Sequence, residues 1–266
     1  MFTVDRRSEL RAQLLDRATR DRSVTAAAIT GSASVGAEDE WSDIDLFFGV
    51  DDSVGVDEAV SAWSAFVYRE LGALHHFDVR AGAWTYRAFL LPDLLEIDLG
   101  FAPAEQFGPF GNGGFQVVFG EPASHRAETV DIGLLIGHTW HHILHARACI
   151  ERGRLWQAEH WVSAVRDNTL ALASARLGEA VSYAKGADHL PAEVTRPLRA
   201  ALVASLEPAE LRRALVAGAR AFLNELRATD PVLADTLVPP LRDVFSDLGG
   251  WWWPGPGLPP TTKIWT

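Results

Sequence analysis

Two kinds of hydrophobic patterning follow each other along the chain and change near residue 125. In the first part, short apolar runs end at Gly, Pro or polar turns, which is typical of strands. These runs cover 26–29, 46–48, 76–80, 83–90, 94–101 and 117–120. Apolar residues at helical spacing predict helices over 5–18 and 56–71. The mixture predicts an α+β (α/β) domain with a mixed sheet over residues 1–125.

The second part has helical periodicity with few breakers. It predicts helices over 128–152, 154–177, 192–206, 208–228 and 231–248. Prolines near the start of the last two segments fit the first turn of a helix. We therefore expect an all-α helical bundle domain over 126–248 and a Pro/Gly/Trp-rich tail over 249–266. The tryptophans at 251–253 of that tail are expected to dock on the bundle or on a second subunit.

Composition and charge narrow the class of protein. The 266 residues carry a net charge of −11. Lysine occurs only at Lys185 and Lys263 and the arginines are dispersed among acids, so a basic stripe for nucleic acid is missing. No apolar run is long enough to cross a membrane, and the charged N-terminal segment lacks the apolar core of a signal peptide. One cysteine, Cys149, excludes an internal disulfide framework. We expect a cytoplasmic protein without nucleic-acid or membrane partners, whose acidity suits a small cationic substrate.

The segment from residue 26 to 48 carries the clearest chemistry. A strand-like run ends at Gly31-Ser32, and Asp43 and Asp45 open the next run. Side chains alternate along a strand, so the two carboxylates face the same way, and their repulsion is relieved if a divalent cation lies between them. Gly31 permits close approach of the backbone to a ligand. Ser32 offers a hydroxyl and an N–H at the expected start of a helix, which suits a phosphate oxygen.

A further pair of acids lies in the alternating run 94–103, where Glu96 and Asp98 share one face of the expected strand. On the residues alone, these two are equally compatible with an ordinary half-exposed strand. Next to the acids at 43 and 45, they become candidates for a third carboxylate of the same site.

Gly31-Ser32, a ten-residue spacer and the Asp43-x-Asp45 pair resemble the pattern of the nucleotidyltransferase superfamily, which includes DNA polymerase beta and the antibiotic nucleotidyltransferases. The order of an α+β domain and a helical bundle is similar to the kanamycin and lincosamide enzymes, and the lincosamide type looks nearest. The resemblance implies that Asp43 and Asp45 hold one or two Mg²⁺ ions. It also implies that Gly31 and Ser32 bind the phosphates of ATP or another nucleoside triphosphate.

The resemblance extends to later residues. Asp98 becomes the third metal ligand or the general base, with Glu96 as the alternative. In related enzymes the bundle completes the cleft, so Glu159 is a second candidate base and Arg166 a candidate phosphate contact. Both lie on one face of the expected helix 154–177, with Asp167 as a spare carboxylate.

The implied activity is transfer of a nucleoside monophosphate, such as AMP from ATP, to a hydroxyl of a small molecule. Aminoglycoside and lincosamide antibiotics are the expected acceptors, with antibiotic resistance as the expected role. Two alternatives stay open: an adenylyltransferase that modifies a protein, as in toxin–antitoxin pairs, and a regulator that binds nucleotide without catalysis. A homodimer is compatible with the resemblance.

Two further groups have a structural as well as a functional interpretation. The histidines at 138, 141, 142 and 145 have spacing that can gather imidazoles for zinc, but a polar helix face explains them without a metal. The phenylalanines at 107, 110 and 115 either stack on a nucleotide base or cover the core.

Overall fold

A computed structural model describes residues 1–109, 114–123 and 130–246, with side chains described through residue 242. The chain divides into two compact units, Met1–Glu128 and Thr129–Thr266. The first unit contains a mixed sheet with helices, and the described part of the second is helical. The predicted fold class is therefore confirmed. The predicted docking of the tail concerns residues 249–266, which lie outside the described residues.

The described part of the first unit consists of α-helices, strands and short 3-10 turns. Its helices and strands are α1 (Val4–Arg20), β1 (Val24–Ile29), β2 (Ile44–Val50), α2 (Val56–Leu71), β3 (His75–Ala81), β4 (Trp84–Leu90), β5 (Glu96–Pro103) and β6 (Gln116–Phe119). The strands form one sheet in the order β3-β4-β5-β2-β1-β6. Strands β2 and β5 are parallel, and the other neighbouring pairs are antiparallel.

The two faces of this sheet differ in chemistry because side chains alternate along each strand. Toward α1 and α2, the fully buried side chains of Leu10, Ile44 and Trp63 belong to one hydrophobic core. Complete burial of a large apolar side chain stabilises a fold by about 1.5–3 kcal/mol. On the opposite face, a smaller cluster around Phe47 and Phe107 leaves room for acidic side chains. The alternation thus separates a structural face from a face that carries carboxylates.

The second unit is built from helices that share a second core. They are α3 (Ile132–Glu151), α4 (Leu155–Leu177), α5 (Ala192–Arg199), α6 (Pro208–Thr229) and α7 (Pro231–Ser246). Ile143, Val162 and Phe222 are fully buried in this core. Helix α3 begins later than the expected residue 128, because the Asp131 side chain caps it by accepting a hydrogen bond from the Leu134 N–H at 2.8 Å.

Helix α5 ends at Arg199, so the expected extension to Leu206 is wrong. Two side chains of α6 bind the backbone groups that a longer helix would use internally. Arg213 donates to the carbonyl oxygens of Ala200 and Leu202, and the Ala204 N–H donates to Glu210 at 2.9 Å. These contacts hold residues 200–204 in a non-helical path. Across the described residues, no helix combines the length and the apolar character that a membrane span requires.

Candidate active site

The pairing of β2 with β5 brings two predicted carboxylates side by side. In this parallel pair, Asp45 lies opposite Asp98. Their neighbours along each strand, such as Leu46 and Leu99, are buried in the core under α1 and α2. Asp45 and Asp98 therefore lie on the opposite face, where the sheet itself fixes their spacing. Asp43 lies one residue before β2 and is not part of the strand ladder.

Asp43, Asp45 and Asp98 each offer a carboxylate oxygen, and these three atoms lie within 4.8 Å of one another. All three residues are half-buried. At that separation and an effective dielectric constant near 20, two negative charges repel each other by about 3 kcal/mol. Magnesium and manganese prefer such hard oxygen ligands, so the donor set fits a divalent cation. Within residues 1–109, 114–123 and 130–242, no other group of three or more His, Cys, Asp or Glu side chains is comparably close.

Gly31 lies directly against one of these carboxylates. Its backbone has φ 62° and ψ −153°, a conformation that is essentially restricted to glycine. A Cβ added at Gly31 would lie 2.7 Å from the Cγ atom of Asp45 and still closer to a carboxylate oxygen. The neighbouring Thr30 N–H donates to the Asp45 carbonyl oxygen at 3.1 Å, which fixes the approach. The absence of a side chain at Gly31 therefore creates the space in which the Asp45 carboxylate lies.

A helix begins at Ser32, as the sequence predicts, but it is short. Ser32–Val35 form a single turn of 3-10 helix, which ends at Gly36. Gly36 ends the turn because its backbone is left-handed, and the Ala37 N–H folds back to the Ser32 carbonyl oxygen at 3.0 Å. The Ser32 hydroxyl donates to the Ser42 hydroxyl at 3.2 Å. A phosphate here would meet a short polar turn rather than the dipole of a long helix.

Tyr86 on β4 is a site residue that the sequence reasoning missed. Its ring stacks on Phe47 with centroids 5.6 Å apart, on the face that carries the acids. Burial, together with the negative charge of Asp45, raises the pKa of the Tyr86 phenol. The phenol therefore keeps its proton beside the carboxylates. The signal was available in the alternation of β4, which places Trp84, Tyr86 and Ala88 on one face.

Two of the three phenylalanines considered for base stacking have a structural role instead. Phe107 is fully buried and stacks 5.9 Å from Phe47, and Phe115 packs 5.2 Å from Phe107. These two residues fill the small core of the acidic face, which is the structural alternative left open above. Phe110 lies outside the described residues.

The remaining candidates lie apart from the three aspartates or in the other unit. Glu96 is exposed and does not belong to the aspartate group. On α4, Glu159 accepts a hydrogen bond from Ser163 at 2.7 Å. Arg166 forms an ion pair with Asp167 at 2.9 Å and is largely covered. The roles of Glu159 and Arg166 stay predictions, because these two side chains belong to the second unit and the three aspartates to the first.

Three of the α3 histidines, His141, His142 and His145, pack around Trp161 of α4. The rings of His141 and His145 are 4.2 Å apart, and the His142 ring lies 4.8 Å from Trp161. Burial, and then the charges of neighbouring histidines, lowers the pKa of His142 to about 4. In the described part of the chain, no three of these histidines meet at one point that a metal ion could occupy. The contacts favour the interpretation as a polar helix face.

Comparison of the whole chain with known proteins gives a match to a solved structure. No protein-family model matches the chain, and no curated protein matches it. Among solved structures, an aminoglycoside 6-adenyltransferase from Bacillus subtilis aligns with a TM-score of 0.42 at 12% identity, over 92% of this chain and 99% of that chain.

Proposed function

We propose that this protein is a divalent-metal-dependent nucleotidyltransferase, which moves a nucleoside monophosphate from ATP or another nucleoside triphosphate to a hydroxyl of a small molecule. The supporting observation is the group of three carboxylate oxygens within 4.8 Å, formed by Asp43, Asp45 and Asp98 beside the Gly31 turn. These aspartates would hold Mg²⁺. When bound, Mg²⁺ neutralises the charge of the triphosphate and of the phosphoryl group under attack.

The residues of the glycine turn would bind and orient the nucleotide. In this proposal the Ser32 N–H donates to a phosphate oxygen, and the Ser32 hydroxyl exchanges its bond to Ser42 for one to the same phosphate. The bare Gly31 backbone lets the phosphates approach the carboxylates. In the transfer step, the acceptor oxygen forms a bond to the α-phosphorus while the bond to the β-phosphate oxygen breaks. Pyrophosphate leaves, and the hydroxyl proton passes to a carboxylate oxygen. We assign that carboxylate to Asp98, with Glu159 as the alternative base.

The acceptor is proposed to be small and cationic. The net charge of −11 favours a positively charged ligand over a nucleic acid. Aminoglycosides and lincosamides are the compounds to test first, since the sequence pattern resembles enzymes that modify them. Antibiotic resistance in the cytoplasm is the physiological role that this proposal implies.

The proposal is tested by pyrophosphate release from Mg-ATP in the presence of a panel of aminoglycosides and lincosamides. Wild-type protein should release pyrophosphate only with an acceptor, and Asp45→Asn should abolish the release. Asp52→Asn is the matched control, because this exposed acid lies two residues after the end of β2 and outside the aspartate group. Release that survives in Asp45→Asn would contradict the metal assignment.

Two other results would replace the small-molecule acceptor. Incorporation of labelled AMP into a protein of a cell lysate, without any release on small acceptors, would support the protein-modifying alternative. Tight binding of Mg-ATP without transfer to any acceptor would support the nucleotide-binding regulator.

The second unit is tested separately. If Glu159 is the base, Glu159→Gln should lower kcat without changing the affinity for the metal ion. If Arg166 contacts phosphate, Arg166→Met should raise the KM for the nucleotide and leave kcat nearly unchanged. Unchanged kinetics in both variants would leave these side chains with the structural contacts seen on α4.

A further inference from the structure

The side chain of Arg7 on α1 is almost completely buried, although it is charged. Only 2% of it is exposed. A buried guanidinium is destabilising unless its N–H groups find acceptors. Arg7 lies three and seven residues before Leu10 and Leu14, on the helix face that packs into the core. Its acceptors therefore have to come from a segment that passes over this face.

That segment is the loop between the glycine turn and β2. The Arg7 Nη1 group donates to the carbonyl oxygens of Asp39 at 2.6 Å and Ser42 at 2.8 Å. The Arg7 Nε atom also lies 3.2 Å from a carboxylate oxygen of Glu38, which Arg11 binds as well. The Ser42 carbonyl belongs to the peptide group that leads directly into Asp43. Arg7 thus fixes the backbone immediately before one of the three aspartates.

The loop has few other means of holding this conformation. Residues 36–43 bury no apolar side chain, and Trp41 is 71% exposed. The remaining contacts are polar: the Ser42 hydroxyl donates to the Asp39 carboxylate at 3.0 Å and accepts from the Asp39 N–H at 3.0 Å. The same hydroxyl accepts from Ser32. Ser42 is therefore tied to α1 through its carbonyl group and to the glycine turn through its hydroxyl.

The three aspartates depend on this loop to different degrees. Asp45 and Asp98 lie inside the paired strands β2 and β5, where the sheet fixes their backbones. Asp43 precedes the first residue of β2, so its position depends on the path of the loop. A contact that fixes the Ser42 peptide therefore controls how Asp43 is presented to its partners.

We infer that Arg7 is a positioning residue for the proposed metal centre, which holds Asp43 beside Asp45 and Asp98 through the carbonyl groups of Asp39 and Ser42. This inference rests on the proposed function. Groups that orient the ligands of a metal without touching it typically change its affinity by about 10–100-fold. Arg11 supplies a matched control, because it binds Glu38 and makes neither carbonyl contact.

The test measures Mn²⁺ binding by electron paramagnetic resonance in wild-type protein, Arg7→Met, Arg7→Lys and Arg11→Met. Arg7→Met should weaken Mn²⁺ binding by about tenfold or more, and Arg11→Met by much less. Arg7→Lys should recover part of the loss, because an ammonium group can donate to a carbonyl oxygen. If Arg7→Met fails to fold, the Mn²⁺ affinity of Arg7→Lys is compared with that of Arg11→Met instead.

A second readout needs no metal. Hydrogen exchange of a peptide covering 36–43 should accelerate in Arg7→Met, because the amides of Ala37, Asp39 and Trp41 are hydrogen-bonded in this loop. Wild-type Mn²⁺ affinity in both Arg7 variants would overturn the inference, whatever their thermal stability. Failure of the proposed function looks different: wild-type protein would then bind no Mn²⁺, or would bind it equally well in Asp45→Asn.

Discussion

Replacement of Gly31 by alanine perturbs the proposed site through a single methyl group. The added Cβ would lie 2.7 Å from the Cγ atom of Asp45 and 3.2 Å from its Cβ atom. Backbone conformations of the kind at Gly31 cost a residue with a side chain about 1–3 kcal/mol. Turning Asp45 away from its preferred rotamer adds about 0.5–1.5 kcal/mol. We therefore expect Gly31→Ala to lower the free energy of unfolding by about 2–4 kcal/mol.

The Gly36→Ala variant separates the cost of the backbone conformation from the cost of the collision with Asp45. Gly36 also has a positive φ, 68°, but nothing lies within 4 Å of an added Cβ. A left-handed conformation alone costs about 1–2 kcal/mol, so this variant should lose less stability and keep the site intact. Gly31→Ala should in addition lose Mn²⁺ binding, because it displaces the Asp45 carboxylate.

Urea unfolding and an Mn²⁺ titration followed by electron paramagnetic resonance measure the two effects. Combining Gly31→Ala with Asp45→Ala removes the colliding carboxylate, so the double variant should be more stable than the sum of the single changes predicts. A collision between the added methyl group and Asp45 is ruled out if Gly31→Ala binds Mn²⁺ as tightly as Gly36→Ala, or if the double variant shows simple additivity.

Three further predictions concern other parts of the molecule. Glu225→Ala should lower the free energy of unfolding by about 2–3 kcal/mol in urea denaturation, because it leaves the Arg176 guanidinium without its largely buried partner; an unchanged midpoint would contradict this. The unfolding free energy should rise between pH 4 and 6.5, since the lowered pKa of His142, about 4, means that the unfolded chain binds more protons in that window. His142→Asn should flatten that slope, and an unaltered profile would count against the assignment. Asp98→Asn should lose Mn²⁺ binding while Glu96→Gln retains it, since only Asp98 belongs to the aspartate group; the reverse order would exchange their roles.

Much of the acidic face follows from sequence periodicity. Alternation along the segments around Asp45 and Asp98 predicts that each carboxylate lies on the sheet face opposite its apolar neighbours. What periodicity cannot supply is the partner strand. The pairing of Asp45 with Asp98 depends on a parallel arrangement of two strands that are separated along the chain by α2, β3 and β4. Alternation within each segment does not determine which strands become neighbours in the sheet.

The residues that escaped prediction act through contacts distant in sequence. Arg7 and its exposed neighbour Arg6 are both arginines, so residue type does not distinguish them. Only the spacing of Arg7 from Leu10 places it on the apolar face of the helix. Its acceptors lie more than thirty residues away, at Asp39 and Ser42. The early end of α5 has the same origin, because side chains of α6 bind the backbone that follows it. Local patterns contain neither kind of information.

The most direct test of the metal centre is a crystal structure of the protein soaked with Mn²⁺ and a non-hydrolysable ATP analogue, with data collected for the anomalous signal of manganese. We predict an anomalous peak bonded to oxygens of Asp43, Asp45 and Asp98, with the analogue's phosphates at the Gly31-Ser32 turn. A peak at a different group of side chains, or a bound nucleotide with no manganese at the aspartates, would contradict this prediction.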